Sequence, residues 1–238
     1  MFERGVAIVA LTKWGVPTSI RVARALEKAQ IQYGIYAPEP LCSEGITPFN
    51  GDVGELFAKL FNLFDAIIAV MAVGIVVRSI APFIADKTTD PAVVVVDDLG
   101  KYAISLLSGH IGGANRLTKI VAGEIGAISV VTTATDLLGR KSVEEIAEEH
   151  DLKIVNFESL TLVNSAIVNE RKILFATIGA VSPKIENADL KFISNVDQLK
   201  EIMQGYEAGI VIASSIVSLE GITKSVTLLI PKLNPTNA

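Results

Sequence analysis

Residues 105–136, SLLSGHIGGANRLTKIVAGEIGAISVVTTATD, decide how the rest of the chain is read. They pass from the end of an apolar segment through a glycine-rich turn into an amphipathic helix, and then into a β-branched strand that ends in hydroxyls and a carboxylate. Gly109, Gly112 and Gly113 open backbone angles closed to other residues and let a ligand approach the main chain. A helix starting near residues 112–114 points its unpaired N–H groups and the positive end of its dipole at that turn, an arrangement suited to an anion. Asn115 and Arg116 follow at once. Leu117, Ile120, Val121 and Ile125 recur at helical spacing, and Gly126 stands where helices terminate. Ligands of open parallel α/β sheets gather at the carboxyl ends of strands, so both ends of the stretch are expected to border one crevice.

Upstream, strand and helix signals alternate. Residues 6–11 are a short, continuous apolar run, as expected of a strand covered on both faces. Thr18 and Ser19 offer caps for a helix over residues 19–29, with Ile20, Ala23, Leu26 and Ala29 at helical spacing. Residues 31–36 read as a second strand, and residues 37–51 as a loop rich in Pro and Gly. Asp52 caps a helix carrying Val53, Leu56, Phe57, Leu60 and Phe64. Residues 66–70 are a buried strand, followed by a helix with Gly74 in its first turn and Arg78 in its body, which Pro82 shortens or kinks. Residues 92–96 and 102–107, joined by Asp97-Asp98-Leu99-Gly100, form an antiparallel hairpin that delivers the glycine turn at its far end.

Composition shifts after Asp136. Residues 137–141 read as a linker, and Ser142 with Glu145 forms the capping box of an acidic helix. A short apolar segment at 154–157, a helix over 159–170 and strands at 172–178, 209–214 and 226–230 complete the pattern. The expected fold class is α/β. An open, mostly parallel sheet flanked by helices occupies residues 1–138, and a second, smaller α/β domain occupies residues 139–238.

The 238 residues are half hydrophobic, enough for real cores, and carry a net charge of -5. That charge argues against nucleic acid as a partner, because affinity for phosphate backbones comes from Lys and Arg clusters. One cysteine, Cys42, excludes an internal disulfide framework and speaks against a structural zinc site. The amino terminus, MFERGVAIVALTKWG, lacks a cleavage site and reads as a first strand. The longest apolar run, residues 66–77, is too short for a membrane span. A soluble, cytoplasmic protein is expected.

The glycine cluster matches neither the dinucleotide fingerprint nor the P-loop. By spacing it reads equally as a ligand-binding loop or a tight strand-to-helix connection. His110 is placed to exchange a proton with a ligand near neutrality, or else to satisfy a loop carbonyl. His150, on the acidic helix, reads as a surface residue. Ser108 has no nucleophile-elbow frame around it. Thr132, Thr133, Thr135 and Asp136 serve either a ligand or the cap of the next element. Arg78 and Lys87 are the candidate carboxylate holders, Arg through its planar fork and Lys as a point charge.

Taken together, the segment from Gly74, GIVVRSIAPFIADKTTDPAVVVVDDLGKYAISLLSGHIGGANRLTKIVAGEIGAISVVTTATD, resembles the amino-terminal domain of the cobalamin biosynthesis protein CbiG family, the cobalt-precorrin-5A hydrolases. Residues 144–175, EEIAEEHDLKIVNFESLTLVNSAIVNERKILF, are similar to the family's middle domain. The family's usual carboxy-terminal domain is not visible before Ala238. The resemblance implies hydrolytic opening of the δ-lactone of cobalt-precorrin-5A with release of acetaldehyde, in the anaerobic route to vitamin B12. It implies no cofactor or metal site in the protein, since cobalt belongs to the tetrapyrrole substrate. Partners compatible with it are a separate carboxy-terminal domain, other pathway enzymes or a second copy of the chain. On this basis His110 is expected to activate water and Asp136 to orient it. Backbone N–H groups near Gly112 and Gly113 would stabilise an oxyanion, and Arg78, Lys87, Ser108, Gly109, Asn115, Arg116, Thr132 and Thr133 would bind substrate. The alternative is a corrinoid-binding or partner-docking module without catalysis of its own.

Overall fold

The structure is a computed structural model that describes residues 2–179 and 190–232. The chain divides into two compact units, Met1–Thr132 and Thr133–Ala238. Among the described residues no helix is long and apolar enough to cross a membrane.

The first unit runs β1 (Val6–Ala10), α1 (Gly15–Lys28), β2 (Tyr33–Pro38), β3 (Ile46–Phe49), α2 (Val53–Leu63), β4 (Ala66–Val70), α3 (Val73–Ile80), β5 (Ala92–Val96), β6 (Tyr102–Leu107), α4 (Ala114–Ile125) and β7 (Ile128–Val130). Its seven strands form one sheet in the order β3-β2-β1-β4-β5-β6-β7. The strands β1, β4 and β5 are buried along their whole length, as their unbroken apolar runs require. Ile8 and Val94 face the side covered by Val22 and Leu26 of α1 and Leu117 and Val121 of α4. Val9 and Val93 face the side covered by Phe57 and Leu60 of α2 and Val76 and Ile80 of α3. Period-two alternation thus splits each central strand between two helical layers.

Several expected boundaries move. Helix α1 starts at Gly15, so Thr18 and Ser19 lie inside it, buried, and do not cap it. Thr12 takes the capping role, its Oγ1 accepting the Gly15 N–H at 2.9 Å. Ile20 is exposed, and the inner face is made by Val22, Ala23, Ala25 and Leu26. The Pro- and Gly-rich loop contains β3, an edge strand paired with β2 through Ile35 and Ile46. An edge position tolerates Pro48, which has no N–H to donate. Asp52 caps α2 as expected, accepting the Gly54 N–H. Pro82 ends α3 at Ile80, with a 3₁₀ turn over Ala81–Phe83.

Strand direction decides where the glycine turn lies. β5 is parallel to β4, and β4 to β1, whereas β6 runs antiparallel to β5 with Leu107 beside Val93. β7 is parallel to β6. The carboxyl ends of β6 and β7 therefore share the edge at which β1, β4 and β5 begin. The carboxyl ends of β1, β4 and β5 point to the opposite edge.

The second unit holds α5 (Ala134–Leu137), α6 (Val143–Glu149), β8 (Leu152–Ile154), α7 (Leu160–Val168), β9 (Ile173–Ile178), β10 (Leu190–Ile193), α8 (Val196–Met203), β11 (Ala208–Ala213) and β12 (Val226–Pro231). Its sheet has the order β10-β9-β11-β12-β8, parallel except for β8. The short apolar segment at 154–157 begins on the last residue of β8 and then leaves the sheet. Asn156 turns the chain there, donating from Nδ2 to the Thr223 and Val226 carbonyls and accepting the Leu228 N–H. β10 and α8 lie where no strand or helix was expected. The α8 sequence, VDQLKEIM, is half polar and buries only Leu199 and Met203.

Candidate functional site

The segment between β6 and α4 folds back on itself. Ser108 holds a left-handed φ of 56°, uncommon for a residue with a side chain and of a kind found at functional turns. Gly113 is left-handed at φ 85° and caps α4 without a side-chain hydrogen bond. The turn's carbonyls then meet the helix start: Gly113 N–H donates to His110 at 3.0 Å, Ala114 N–H to Ser108 at 3.1 Å and Asn115 N–H to Gly109 at 3.0 Å. The first donors of α4 are thus satisfied by the turn itself, and the expected anion site does not form from them. Among the described residues, the N–H groups of Ile111 and Gly112 make no hydrogen bond. Both lie just outside the helix and can donate to a ligand.

Side chains of the turn divide between inside and outside. The Ser108 hydroxyl is buried and makes no hydrogen bond, so it presents no group to a ligand. Asn115 is 5% exposed, and its Oδ1 accepts a hydrogen bond from the Ser105 hydroxyl of β6 at 2.7 Å. Both were expected to bind substrate, and both face the fold instead. His110 follows Gly109 in the turn and is half-buried. Arg116 is exposed in the first turn of α4 and lines a cavity of about 290 Å³ with Phe2, Ile31 and Ile120. That volume is at the small end of ligand pockets and far below what a macrocycle needs.

Lys87 comes to the same edge. It lies in the segment that enters β5, and β5 begins where β6 ends. Asp90, 8% exposed, accepts the Ala85 N–H at 3.1 Å on each of its carboxylate oxygens and so closes the loop that carries Lys87. The Thr88 hydroxyl and N–H hold the Asp86 carboxyl below its ordinary value. Ser105 was missed from the sequence. A serine inside an otherwise apolar strand, YAISLL, was the available signal for Ser105.

Arg78 is not brought to this edge. Its Nη1 donates to the Gly74 carbonyl at 2.9 Å, which folds the side chain back along α3 toward the carboxyl end of β4. At that opposite edge, the crevice open α/β sheets often use is occupied by the protein's own carboxylate. Asp98 accepts from the Thr12 hydroxyl at 3.0 Å, and a Cβ on Gly15 would lie 2.7 Å from Asp98 Oδ1. Asp98 therefore sits against the start of α1, a helix with no acid in its own first turn, and disfavours a second anion there. Thr132 is the exposed last residue of the first unit. Thr133 and Asp136 belong to the second unit, where Thr133 Oγ1 donates to Asp136 Oδ2 at 2.6 Å across the start of α5.

Residues 55–136 match the family profile described as Cobalamin synthesis G N-terminal. The chain is 34% identical over 198 residues to a cobalt-precorrin-5A hydrolase of Salmonella typhimurium, a match covering 83% of this chain and 55% of that protein. It is 39% identical over 168 residues to a cobalt-precorrin-5A hydrolase of Priestia megaterium, covering 70% of this chain and 45% of that protein. The chain therefore spans about half the length of the curated relatives it matches. A crystal structure of a cobalamin biosynthesis protein G homolog from Sulfolobus solfataricus superposes with a TM-score of 0.55 at 22% identity, covering 97% of this chain and 61% of that one. The two share a fold.

Proposed function

We propose, from the match of residues 55–136 to the Cobalamin synthesis G N-terminal profile, that the chain acts in anaerobic cobalamin synthesis on cobalt-precorrin-5A. Water opens the δ-lactone, and the former bridging carbon leaves with its methyl group as acetaldehyde, giving cobalt-precorrin-5B. The cobalt is part of the substrate. Identity of 34–39% to relatives named for this activity carries the proposal, and the chemistry of the β6–α4 turn supports it.

His110 takes the proton from the attacking water as general base, a contribution worth about 10²- to 10⁴-fold in rate. The N–H groups of Ile111 and Gly112, beside it on the turn, receive the negative charge that develops on the lactone carbonyl oxygen. Lys87 and Arg116 hold carboxylates of the macrocycle, which an acidic protein can attract only through local positive charge. Lys87 and Arg116 both lie at the edge where β5 begins, and the macrocycle is proposed to lie over that edge.

Incubating the purified chain with cobalt-precorrin-5A and measuring acetaldehyde tests the proposal. Catalytic release is expected, and His110→Ala should slow it by about 10²- to 10⁴-fold. A binding module without chemistry would shift the absorption of the tetrapyrrole and release no acetaldehyde, and that result would replace the hydrolase proposal.

A further inference from the structure

Asn115 makes three contacts with the strand and turn that precede α4. Its side-chain oxygen accepts the Ser105 hydroxyl of β6 at 2.7 Å. Its backbone N–H donates to the Gly109 carbonyl at 3.0 Å. Its amide also fills the space beside the Gly109 Cα: a Cβ there would lie 2.8 Å from Asn115 Oδ1 and 3.2 Å from both Cγ and Nδ2. Gly109 is covalently followed by His110, so the peptide that carries the imidazole is held by the main chain of Asn115 and backed by its side chain. With only 5% of its surface exposed, Asn115 has no surface to offer a macrocycle. Buried amides of this kind keep one geometry because every alternative leaves a polar group unpaired.

We propose that Asn115 is a positioning residue: it sets the angle and depth of the Gly109–His110 peptide and acts on turnover through His110, without touching substrate. The inference rests on the role given to His110 above. A misplacement on the order of 1 Å at a reacting group costs about 10²-fold in rate. Loss of the Asn115 amide is therefore expected to appear in kcat, while the groups that bind the macrocycle, and with them KM, are left alone.

A double-mutant cycle on the full chain, read as acetaldehyde release from cobalt-precorrin-5A, tests this. Asn115→Ala in the parent chain should lower kcat by about 10²-fold with KM changed less than about twofold. In a chain already carrying His110→Ala, the same substitution should change kcat by less than about twofold, because there is no imidazole left to misplace. Ser105→Ala removes the hydroxyl and leaves the amide in place. It should give a smaller loss of kcat, about tenfold, with the same lack of additivity, and it covers the case in which Asn115→Ala does not fold. Losses that multiply with that of His110→Ala, or a rise in KM at unchanged kcat, would overturn the positioning role and make Asn115 an independent or substrate-contacting group. Near-normal turnover by His110→Ala alone would instead remove the parent proposal, and the positioning role would fall with it.

Discussion

Gly112→Ala and Gly123→Ala should move stability in opposite directions, although both replace a glycine by the same residue in one continuous segment. At Gly112 a Cβ would lie 2.5 Å from the Ser108 Cβ, 2.9 Å from the Ser108 carbonyl oxygen and 3.4 Å from the Ala92 amide nitrogen. Carbon atoms in good contact stand about 3.5–4.0 Å apart, so about 1 Å of movement is needed. Ser108 is poorly placed to supply it. Its φ of 56° is already in the left-handed region, and its carbonyl holds the Ala114 N–H at 3.1 Å. Overpacking of this kind costs about 1–3 kcal/mol. Gly123 is exposed within α4, and nothing lies within 4 Å of its missing Cβ. Alanine there gains about 0.8–1 kcal/mol in helix propensity. The two variants should therefore differ by about 2–4 kcal/mol. Urea unfolding of the full chain, with amide exchange on α4 to assign the change to the first unit, measures both. A slope of about 2 kcal/mol per molar urea puts the midpoints roughly 1–2 M apart. A Gly112→Ala midpoint at or above the parent's would refute closure of the turn by contact between residues 108 and 112.

Three further outcomes are expected. Asp52→Ala removes the side chain that accepts the Gly54 N–H at the start of α2 and should cost about 1 kcal/mol by denaturant unfolding. Ser142→Ala breaks a reciprocal cap, in which Ser142 accepts the Glu145 N–H while the Glu145 carboxylate accepts the Ser142 N–H; a loss of about 1 kcal/mol is expected, confined by amide exchange to α6. Burial alone would raise the Asp65 carboxyl, but the N–H and guanidinium of Arg4 outweigh it and hold the carboxyl below its ordinary value. Its contribution is therefore present above the unfolded carboxylate pKa and is lost as pH falls through the lowered folded value. Acid titration below about pH 5 should destabilise the parent more steeply than Asp65→Asn, and parallel curves would mean that the Arg4 pair contributes nothing.

Much of the architecture is local, and local patterns carried it. The runs IVA, AIIAV and AVVVV are apolar without interruption because both faces of these strands are covered. The Asp97-Asp98-Leu99-Gly100 turn signalled the reversal between β5 and β6, which puts the His110 turn and the start of β5 on one edge. Gly126 marked the end of α4 because a left-handed φ, here 72°, is open to glycine. Where tertiary pairing supplied the order, sequence patterns were silent. β3 carries a proline and owes its extended form to β2. α1 begins a turn early because Thr12 and Asp98 support its start from outside the helix.

The candidate site divides in the same way. Glycine spacing and a histidine after Gly109 drew attention to the β6–α4 turn from the chain alone, since glycines at close approaches leave a mark in sequence. Only the tertiary structure decided which donors and side chains remain for a ligand. The helix-start N–H groups meet turn carbonyls, Ser108 and Asn115 point inward, and Arg78 folds toward the other edge. Each of these outcomes depends on how a polar group is satisfied by partners that folding brings together, and hydrogen-bond partners chosen in three dimensions leave no periodicity in a sequence.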